Sequence, residues 1–164
     1  MLVGKNFACV KVAGRANYSS SPDFKTLLSE LTGKGYRHFI IDLSECVLMD
    51  STFLGVLAEF GLKMQPVNSD QQGIELLNAN ARVAELLENL GVARLFKMTD
   101  GALPLTDDVK ASMPEPANPT HEEIIRTCLE AHQTLITVNP ENAARFKDVT
   151  RFLAEDLKKL KKGD

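Results

Sequence analysis

The residues of this sequence best placed to do chemistry are Asp50, Ser51 and Thr52, three polar side chains between two apolar runs. Asp50 precedes apolar residues at helical spacing, so its carboxylate is predicted to cap free N–H groups in the first turn of a helix. Ser51 then falls at about the first helical position, exposed at the end of a strand, where functional sites of open α/β sheets gather. Two interpretations follow: the serine only begins a helix, or its hydroxyl is modified by another protein.

Sequence patterns typical of enzymes are missing from the chain. It contains no GxGxxG, GxxxxGKS/T, HExxH or GxSxG pattern, and its histidines are His38, His121 and His132. His132 has no second histidine or carboxylate three or four residues away, so we predict a packed or hydrogen-bonded side chain rather than a metal ligand. These observations predict a protein that is not an enzyme and that uses no metal or cofactor.

The cysteines Cys9, Cys46 and Cys128 are an odd number at wide spacing, without a CxxC pair. This spacing indicates neither a disulfide framework nor a zinc site. Because Cys9 and Cys46 fall within apolar runs typical of strands, we predict that both are buried thiols without chemistry.

Length and charge exclude several classes of protein. A chain of 164 residues can bury one ordinary core with some sequence left over, which predicts one domain plus an appendage. The net charge of −3 gives no reason to expect a nucleic-acid partner. No apolar run approaches the roughly 20 residues that cross a bilayer, and the first residues lack the basic and apolar segments of a signal peptide. We therefore expect a cytoplasmic protein without membrane insertion.

Strand and helix patterns alternate through residues 1–100. Helices are predicted where apolar residues recur at i, i+3, i+4 and i+7, and strands where short apolar runs lie between turn residues. The predicted strands are residues 7–13, 38–43, 73–77 and 95–98, and the predicted helices follow Pro22 and cover residues 51–64 and 81–90. This order predicts an α/β fold with a mixed, mostly parallel sheet of four to five strands flanked by helices.

The remaining sequence divides into a linker and a helical hairpin. Residues 101–120 contain four prolines in a polar stretch without periodicity, which predicts a linker. Residues 121–164 carry two amphipathic patterns that predict a hairpin of helices. Because a hairpin is too small to be stable alone, its apolar faces must dock on something. The α/β domain, a second copy of the chain in a homodimer and a separate partner are all candidates.

The helix after Asp50 is apolar on most of its sides. It carries two apolar stripes, Leu54/Leu57/Leu62 and Phe53/Val56/Phe60/Met64. A helix that covers one face of a small sheet cannot easily bury both stripes. We therefore expect the stripe with Phe53 and Phe60 to contact another protein or the C-terminal hairpin, and docking of the hairpin there would imply autoinhibition.

The stretch from Ile40 to Leu57 resembles the STAS domain of bacterial anti-sigma factor antagonists and sulphate transporter tails. In that family an apolar strand ends in Asp-Leu-Ser, and Asp-Ser-Ser/Thr-Gly-Leu-Gly then opens an apolar helix. This sequence has Ile40-Ile41-Asp42-Leu43-Ser44 and, a few residues later, Asp50-Ser51-Thr52-Phe53-Leu54-Gly55. The order of elements up to residue 100 fits the same family, whereas the rest of the chain lies outside the resemblance.

The resemblance implies partner switching. In the family, the serine after the aspartate is phosphorylated by a serine kinase that is also the anti-sigma factor, and a PPM-type phosphatase resets it. The matching residue is Ser51, and Thr52 is the neighbouring hydroxyl at which phosphorylation is also plausible. The unmodified protein would bind an anti-sigma factor or related sensor, and the phosphorylated protein would release it. The predicted partner-binding residues are Asp50, Ser51, Thr52, Phe53, Val56 and Phe60.

Phe53 departs from the family, which usually has glycine at this position. Its ring would lie beside the predicted phosphorylation site, where it could obstruct a kinase or anchor a partner as interface aromatics do. The alternative is therefore a STAS subunit that is not phosphorylated and that binds an ABC-type lipid transporter or another signalling assembly.

Overall fold

The computed structural model describes residues 2–3, 7–64, 73–102, 110–111 and 118–162. Its strands are β1 (Leu2–Val3), β2 (Ala8–Ala16), β3 (Phe39–Met49), β4 (Ile74–Leu77), β5 (Lys97–Thr99) and β6 (Lys110–Ala111). Over the described residues they form one sheet in the order β5-β4-β3-β2-β1-β6. Strands β2 to β5 are parallel to one another, whereas β1 is antiparallel to both β2 and β6. The predicted α/β fold with a mostly parallel sheet is confirmed.

Five α-helices accompany the sheet over the same residues. They are α1 (Ser21–Gly33), α2 (Ser51–Lys63), α3 (Ala81–Asn89), α4 (His121–Val138) and α5 (Asn142–Lys162), with a 3₁₀ turn at Ala93–Leu95. The first three connect successive parallel strands, as crossovers in α/β folds do. Helices α4 and α5 form the predicted C-terminal hairpin. No helix in the described ranges is long and apolar enough to cross a membrane.

Strand β3 is longer than the sequence pattern predicts. The apolar run predicts residues 38–43, whereas the strand continues to Met49. Its second half pairs with the end of β2, where Ala16 lies opposite Met49, after two register shifts. Exposed residues such as Glu45 interrupt the apolar run in this half, so periodicity does not reveal it. The extension brings Asp50 beside the end of β2.

The predicted linker of residues 101–120 is only partly within the described structure. Residues 103–109 and 112–117 lie outside the described residues. Lys110–Ala111 form β6 and pair with β1, so part of this segment belongs to the sheet. A strand of two residues is too short to show periodicity, which is why the sequence does not predict it.

The main core lies between the helices and one face of the sheet. Alternate strand residues such as Val10, Ile41 and Leu76 point to this face and pack with the apolar stripes of the helices. Helix α2 is the most thoroughly enclosed element of this core, because its residues from Thr52 to Ala58 are buried without a break. Helix α2 shares this core with the sheet on one side, and α1 and α4 pack against other sides.

The three cysteines are buried free thiols, which confirms the predicted burial of Cys9 and Cys46. Burial, with a smaller contribution from the Asp42 carboxylate, raises the pKa of Cys9 to about 11. Burial also raises the pKa of Cys46 and of Cys128. Because the thiolate is the reactive form of cysteine, we expect all three side chains to react slowly at neutral pH.

Candidate functional site

The loop between β3 and α2 is held by Asp50. Its backbone N–H donates to the Ala16 carbonyl at the end of β2, at 2.9 Å. One carboxylate oxygen accepts from the Phe53 N–H at 2.8 Å, and the other accepts from the Tyr18 N–H at 2.7 Å. The bond from the Phe53 N–H is the predicted N-cap of α2, which is confirmed. The carboxylate thus joins the first turn of α2 to the segment that follows β2.

Ser51 is the first residue of α2, as predicted, but its hydroxyl is engaged by another helix. Oγ lies 2.8 Å from Nε2 of His132 in α4. Nδ1 of the same ring lies 2.7 Å from the Cys128 carbonyl oxygen, which can only accept, so Nδ1 carries a proton. In the neutral ring Nε2 is then an acceptor, and the Ser51 hydroxyl donates to it. The serine is therefore partly buried rather than freely exposed.

His132 is a packed and hydrogen-bonded side chain, as predicted. Only 5% of its surface is exposed. Its ring and the Phe146 ring of α5 pack in a T-shaped arrangement, with centroids 4.8 Å apart and planes at 68°. Through this one ring, both helices of the hairpin are connected to the N-terminus of α2.

Thr52 also faces the hairpin. Its hydroxyl donates to the Cys128 thiol, with Oγ1 3.6 Å from Sγ. Burial raises the pKa of Cys128, and the hydrogen bond from Thr52 lowers it by less. The thiol is therefore a neutral packing group between the two helices at physiological pH.

Helices α2 and α4 approach closely where Gly55 meets Ala131. A Cβ atom added at Gly55 would lie 2.5 Å from the Ala131 carbonyl oxygen and 2.6 Å from its Cβ atom. These distances are too short for non-bonded atoms, so any larger residue at position 55 would displace α4. Gly55 is the last residue of the STAS-like motif, and in this chain it allows the hairpin to dock.

The structure does not present Phe53, Val56 and Phe60 to a partner, contrary to the prediction. Their side chains are 2%, 1% and 3% exposed. Phe53 stacks on Phe24 of α1, with ring centroids 4.4 Å apart. Helix α1 covers this stripe from within the domain, which the apolar pattern of α2 alone does not reveal, and the hairpin encloses a further side of α2. The second apolar stripe is therefore part of the core.

The hairpin does dock on α2, but on a different face from the predicted stripe. The contacts that define this face are made by Ser51, Thr52 and Gly55, and we call these three residues the α2 docking face. Phe53 points instead toward α1. Of the three candidates for the surface that the hairpin meets, the α/β domain is the one observed here, through small and polar residues rather than through the aromatic ones.

Polar contacts hold the hairpin at two further places. The Lys25 ammonium of α1 lies 2.6 Å from the Glu130 carboxylate of α4. At the hairpin turn, Asn142 Nδ2 donates to the carbonyl oxygens of Leu90 and Leu135, at 2.9 Å and 2.8 Å. The hairpin is therefore attached to α1, to α2 and to the end of α3.

The chemistry available at this site is that of a hydroxyl and an imidazole. Within the described residues, no group of three histidine, cysteine, aspartate or glutamate side chains is placed to hold a metal ion. An open groove of about 370 Å³ between α2 and α4 is lined by residues including Glu59, Lys63 and Thr137, near the opposite end of α2.

The sequence does not identify Cys128, Ala131 and His132 as site residues. Their spacing places them on one apolar face of α4, and that face is visible in the sequence. Periodicity does not reveal which surface the face meets, because Ser51 and His132 are 81 residues apart in the chain. The small side chain of Ala131 on this otherwise larger face is one local sign of a close helix contact.

Comparison with known proteins identifies the family. The family model of the STAS domain matches residues 2–109. The chain therefore belongs to the STAS domain family. The match ends before His121, so α4 and α5 lie outside the part of the chain that the family model covers.

The chain is similar to anti-sigma-B factor antagonists of Staphylococcus aureus. It is 26% identical to the protein of strain NCTC 8325 over 92 residues, which are 56% of this chain and 82% of that relative. The proteins of strains COL and N315 give the same values. A crystal structure from Thermotoga maritima, described as an anti-sigma factor antagonist, shares the fold with a TM-score of 0.52 and 22% identity, over 59% of this chain and 81% of that chain. The chain contains an anti-sigma factor antagonist-like STAS domain.

Proposed function

We propose that this protein is a regulatory protein-binding module that acts by partner switching, controlled by phosphorylation of Ser51. The observation that carries the proposal is the position of Ser51 as the first residue of α2, directly after the capping Asp50, in the motif that resembles STAS antagonists. The proposed partner is an anti-sigma factor with serine kinase activity or a related sensor, and a PPM-type phosphatase resets the switch. The protein acts in the cytoplasm by binding, not by catalysis.

A phosphoryl group on Ser51 would change the charge of the surface without refolding the STAS domain. It adds about −1.5 to −2 charge at neutral pH. Free N–H groups and the helix dipole at the N-terminus of α2 stabilise an anion there. The Asp50 carboxylate lies at the same helix end and adds negative charge. The domain itself can accommodate this charge. A partner surface that fits the unmodified serine would be repelled by the phosphoryl group and would have to desolvate it at a high cost.

Ser51 is a better candidate for modification than Thr52. Thr52 is 5% exposed and its hydroxyl is directed at the Cys128 thiol. Ser51 is partly exposed and stands at the helix end. Of the predicted partner-binding residues, Asp50 and Ser51 are the two that reach the surface in this structure, and they form the centre of the proposed contact.

We further infer that residues 1–100 are the signalling unit and that residues 121–164 are a regulatory extension, joined by residues 101–120. The separate helical hairpin supports this division, because α4 and α5 pack on each other as well as on the rest of the chain. The end of the family match at residue 109 supports it too.

Mass spectrometry after affinity capture tests the proposed switch. Tagged full-length protein is expressed in its native host and compared with Ser51→Ala, Ser51→Asp and the control Ser29→Ala, which alters an exposed serine of α1. We expect one phosphoryl group on part of the wild-type and Ser29→Ala protein and none on Ser51→Ala. We also expect Ser51→Asp to recover at least tenfold less of the kinase partner than Ser51→Ala. Equal recovery by these two variants, with no phosphoryl group on the wild type, would refute the switch.

The structure removes one reason for the alternative of a transporter subunit, namely Phe53 as an exposed partner anchor in place of the usual glycine. The Phe53 ring is buried against Phe24, so it neither blocks access to Ser51 from solvent nor offers an anchor. Its presence is explained by packing within the chain.

A further inference from the structure

The N-terminal half of α2 is covered by a helix of the same chain. We propose that α4 is a built-in competitor: it occupies the docking face that a partner helix uses, so that the partner must displace the hairpin to reach Ser51. The proposal rests on the proposed function for the existence of that partner. The occupation of the face by α4 is a separate observation.

The close contact between α2 and α4 defines what can occupy this face. The absence of a Cβ atom at Gly55 lets the Ala131 backbone approach to a distance at which any side chain would clash. Only a helix with a small residue at the crossing point can sit equally close. A competing partner must therefore offer a helix with alanine, glycine or serine opposite Gly55.

The hydroxyl of Ser51 places a second requirement on a helix that competes with α4. It donates to Nε2 of His132 across 2.8 Å, so the imidazole occupies the space that a phosphoryl group on Oγ would need. A kinase that approaches the hydroxyl along this hydrogen bond meets α4. Modification of Ser51 and the docked position of His132 therefore exclude each other, and a partner helix must supply its own hydrogen-bond acceptor opposite Ser51.

In the docked state one buried polar atom lacks a hydrogen-bond partner among the described residues, which makes the hairpin easier to displace. Asn142 lies completely buried at the hairpin turn, and its Nδ2 donates to Leu90 and Leu135. Its Oδ1 atom has no hydrogen-bond partner among the described residues. An unpaired buried acceptor lowers the stability of the state that contains it. Undocking would return this oxygen to water, so the cost of opening the hairpin is reduced.

Attachment through the same chain still favours the closed state. A tethered helix competes at a local concentration in the millimolar range, which a separate partner must overcome by affinity or abundance. The hairpin thus sets a threshold of partner affinity and concentration. Below this threshold Ser51 stays unmodified and the α2 docking face stays covered.

Thiol labelling of the full chain tests this inference without a partner or a kinase. Ser51→Cys places a thiol at the end of α2 and is made together with Cys128→Ser, because Cys128 lies in the contact that opening would expose. The reaction of position 51 with dithiobis(nitrobenzoate) is measured against the two remaining buried cysteines, Cys9 and Cys46. The second variant adds Ala131→Leu, which cannot fit against Gly55. A matched control adds Gln133→Leu instead, at an exposed position of the same helix.

We expect Ala131→Leu to raise the labelling rate of position 51 at least tenfold and Gln133→Leu to change it less than twofold. Hydrogen exchange on the same samples reports whether α4 has lost protection while β3 keeps it. Asn142→Asp, which removes the two donors at the hairpin turn, replaces Ala131→Leu if that variant unfolds. Unchanged labelling in a folded protein whose α4 is exchanging, or no loss of α4 protection in either variant, would overturn the inference. Neither outcome bears on whether Ser51 is phosphorylated.

Discussion

The hydroxyl of Ser51 and Nε2 of His132 lie 2.8 Å apart, which connects the first residue of α2 with a buried ring of α4. The residue that family resemblance marks as the regulatory serine is therefore held by a segment outside the family match. Because of this contact, the accessibility of the Ser51 hydroxyl depends on the position of the hairpin. The measurements below test this arrangement.

The tautomer of His132 is set by its two hydrogen bonds. Because the Cys128 carbonyl can only accept, we expect the proton on Nδ1 and an unprotonated Nε2 in the neutral ring. The ¹⁵N chemical shifts of the imidazole distinguish the two tautomers directly. We expect Ser51→Ala to shift the Nε2 resonance and to lower the free energy of unfolding by about 1 kcal/mol. A ring protonated on Nε2 at high pH would contradict the described contact.

A disulfide between α2 and α4 should lock the hairpin. Thr52→Cys would place a second sulfur near Cys128 Sγ, which now lies 3.6 Å from Thr52 Oγ1, and a small side-chain movement would reach the bond length of about 2.05 Å. We expect oxidation to stabilise the protein by about 2–4 kcal/mol. We also expect it to slow hydrogen exchange in α4.

The control for this lock is Thr52→Cys combined with Cys128→Ser, which should show no dependence on oxidation. Burial raises the pKa of Cys128, so the thiolate becomes abundant only at alkaline pH and bond formation should accelerate as the pH rises. Failure of the single variant to cross-link under alkaline oxidising conditions would show that the two side chains do not face each other.

We expect Phe53 to contribute to the stability of the folded protein rather than to partner binding. Phe53→Ala removes a ring that is 2% exposed and stacked on Phe24, and it should lower the free energy of unfolding by about 3–5 kcal/mol. Phe152→Ala is the matched control, because Phe152 is 56% exposed, and it should change stability by less than about 0.5 kcal/mol. Urea unfolding measures both, and similar losses in the two variants would contradict the core assignment.

The Asp50 carboxylate is expected to stabilise α2 through its cap. Asp50→Ala removes acceptors for the Phe53 and Tyr18 N–H groups and should cost about 1–2 kcal/mol. Asp156→Ala, on the exposed surface of α5, is the control and should be nearly neutral. Equal stability of Asp50→Ala and wild type in urea would show that the cap is not formed in solution.

The pH dependence of stability should carry a contribution from Cys9. An unfolded thiol ionises near its ordinary pKa of 9.0, whereas burial raises the pKa of Cys9 to about 11 in the folded protein. Between these values the unfolded state binds fewer protons, so the free energy of unfolding falls as the pH rises. Chemical unfolding at pH 8 to 11 should show a shallower fall for Cys9→Ala than for wild type, and identical slopes would contradict the assignment.

Much of the fold is predictable from local patterns. The strand of residues 38–43, the helix from Ser51 and the C-terminal hairpin each follow from the period of apolar residues, which depends only on neighbours in the chain. The cap by Asp50 is equally local, because the carboxylate bonds an N–H three residues away. These features need no knowledge of the tertiary arrangement.

Features that join distant segments are not predictable in this way. The second half of β3 is ordered by pairing with β2, and its own residues show no continuous apolar pattern. Phe53 looks like an exposed anchor when only the sheet is considered, and it is buried because α1 places Phe24 against it. Each difference arises from a contact with a segment that periodicity does not locate.

The sequence by itself determined the α/β order of elements, the capped start of α2 and the presence of a hairpin with an apolar face, because backbone preference and apolar spacing act over a few residues. Only the tertiary structure decided that this face covers Ser51, Thr52 and Gly55. The physical reason is steric and long-range: the glycine leaves room for the Ala131 backbone, and that approach brings His132 within hydrogen-bond distance of the serine.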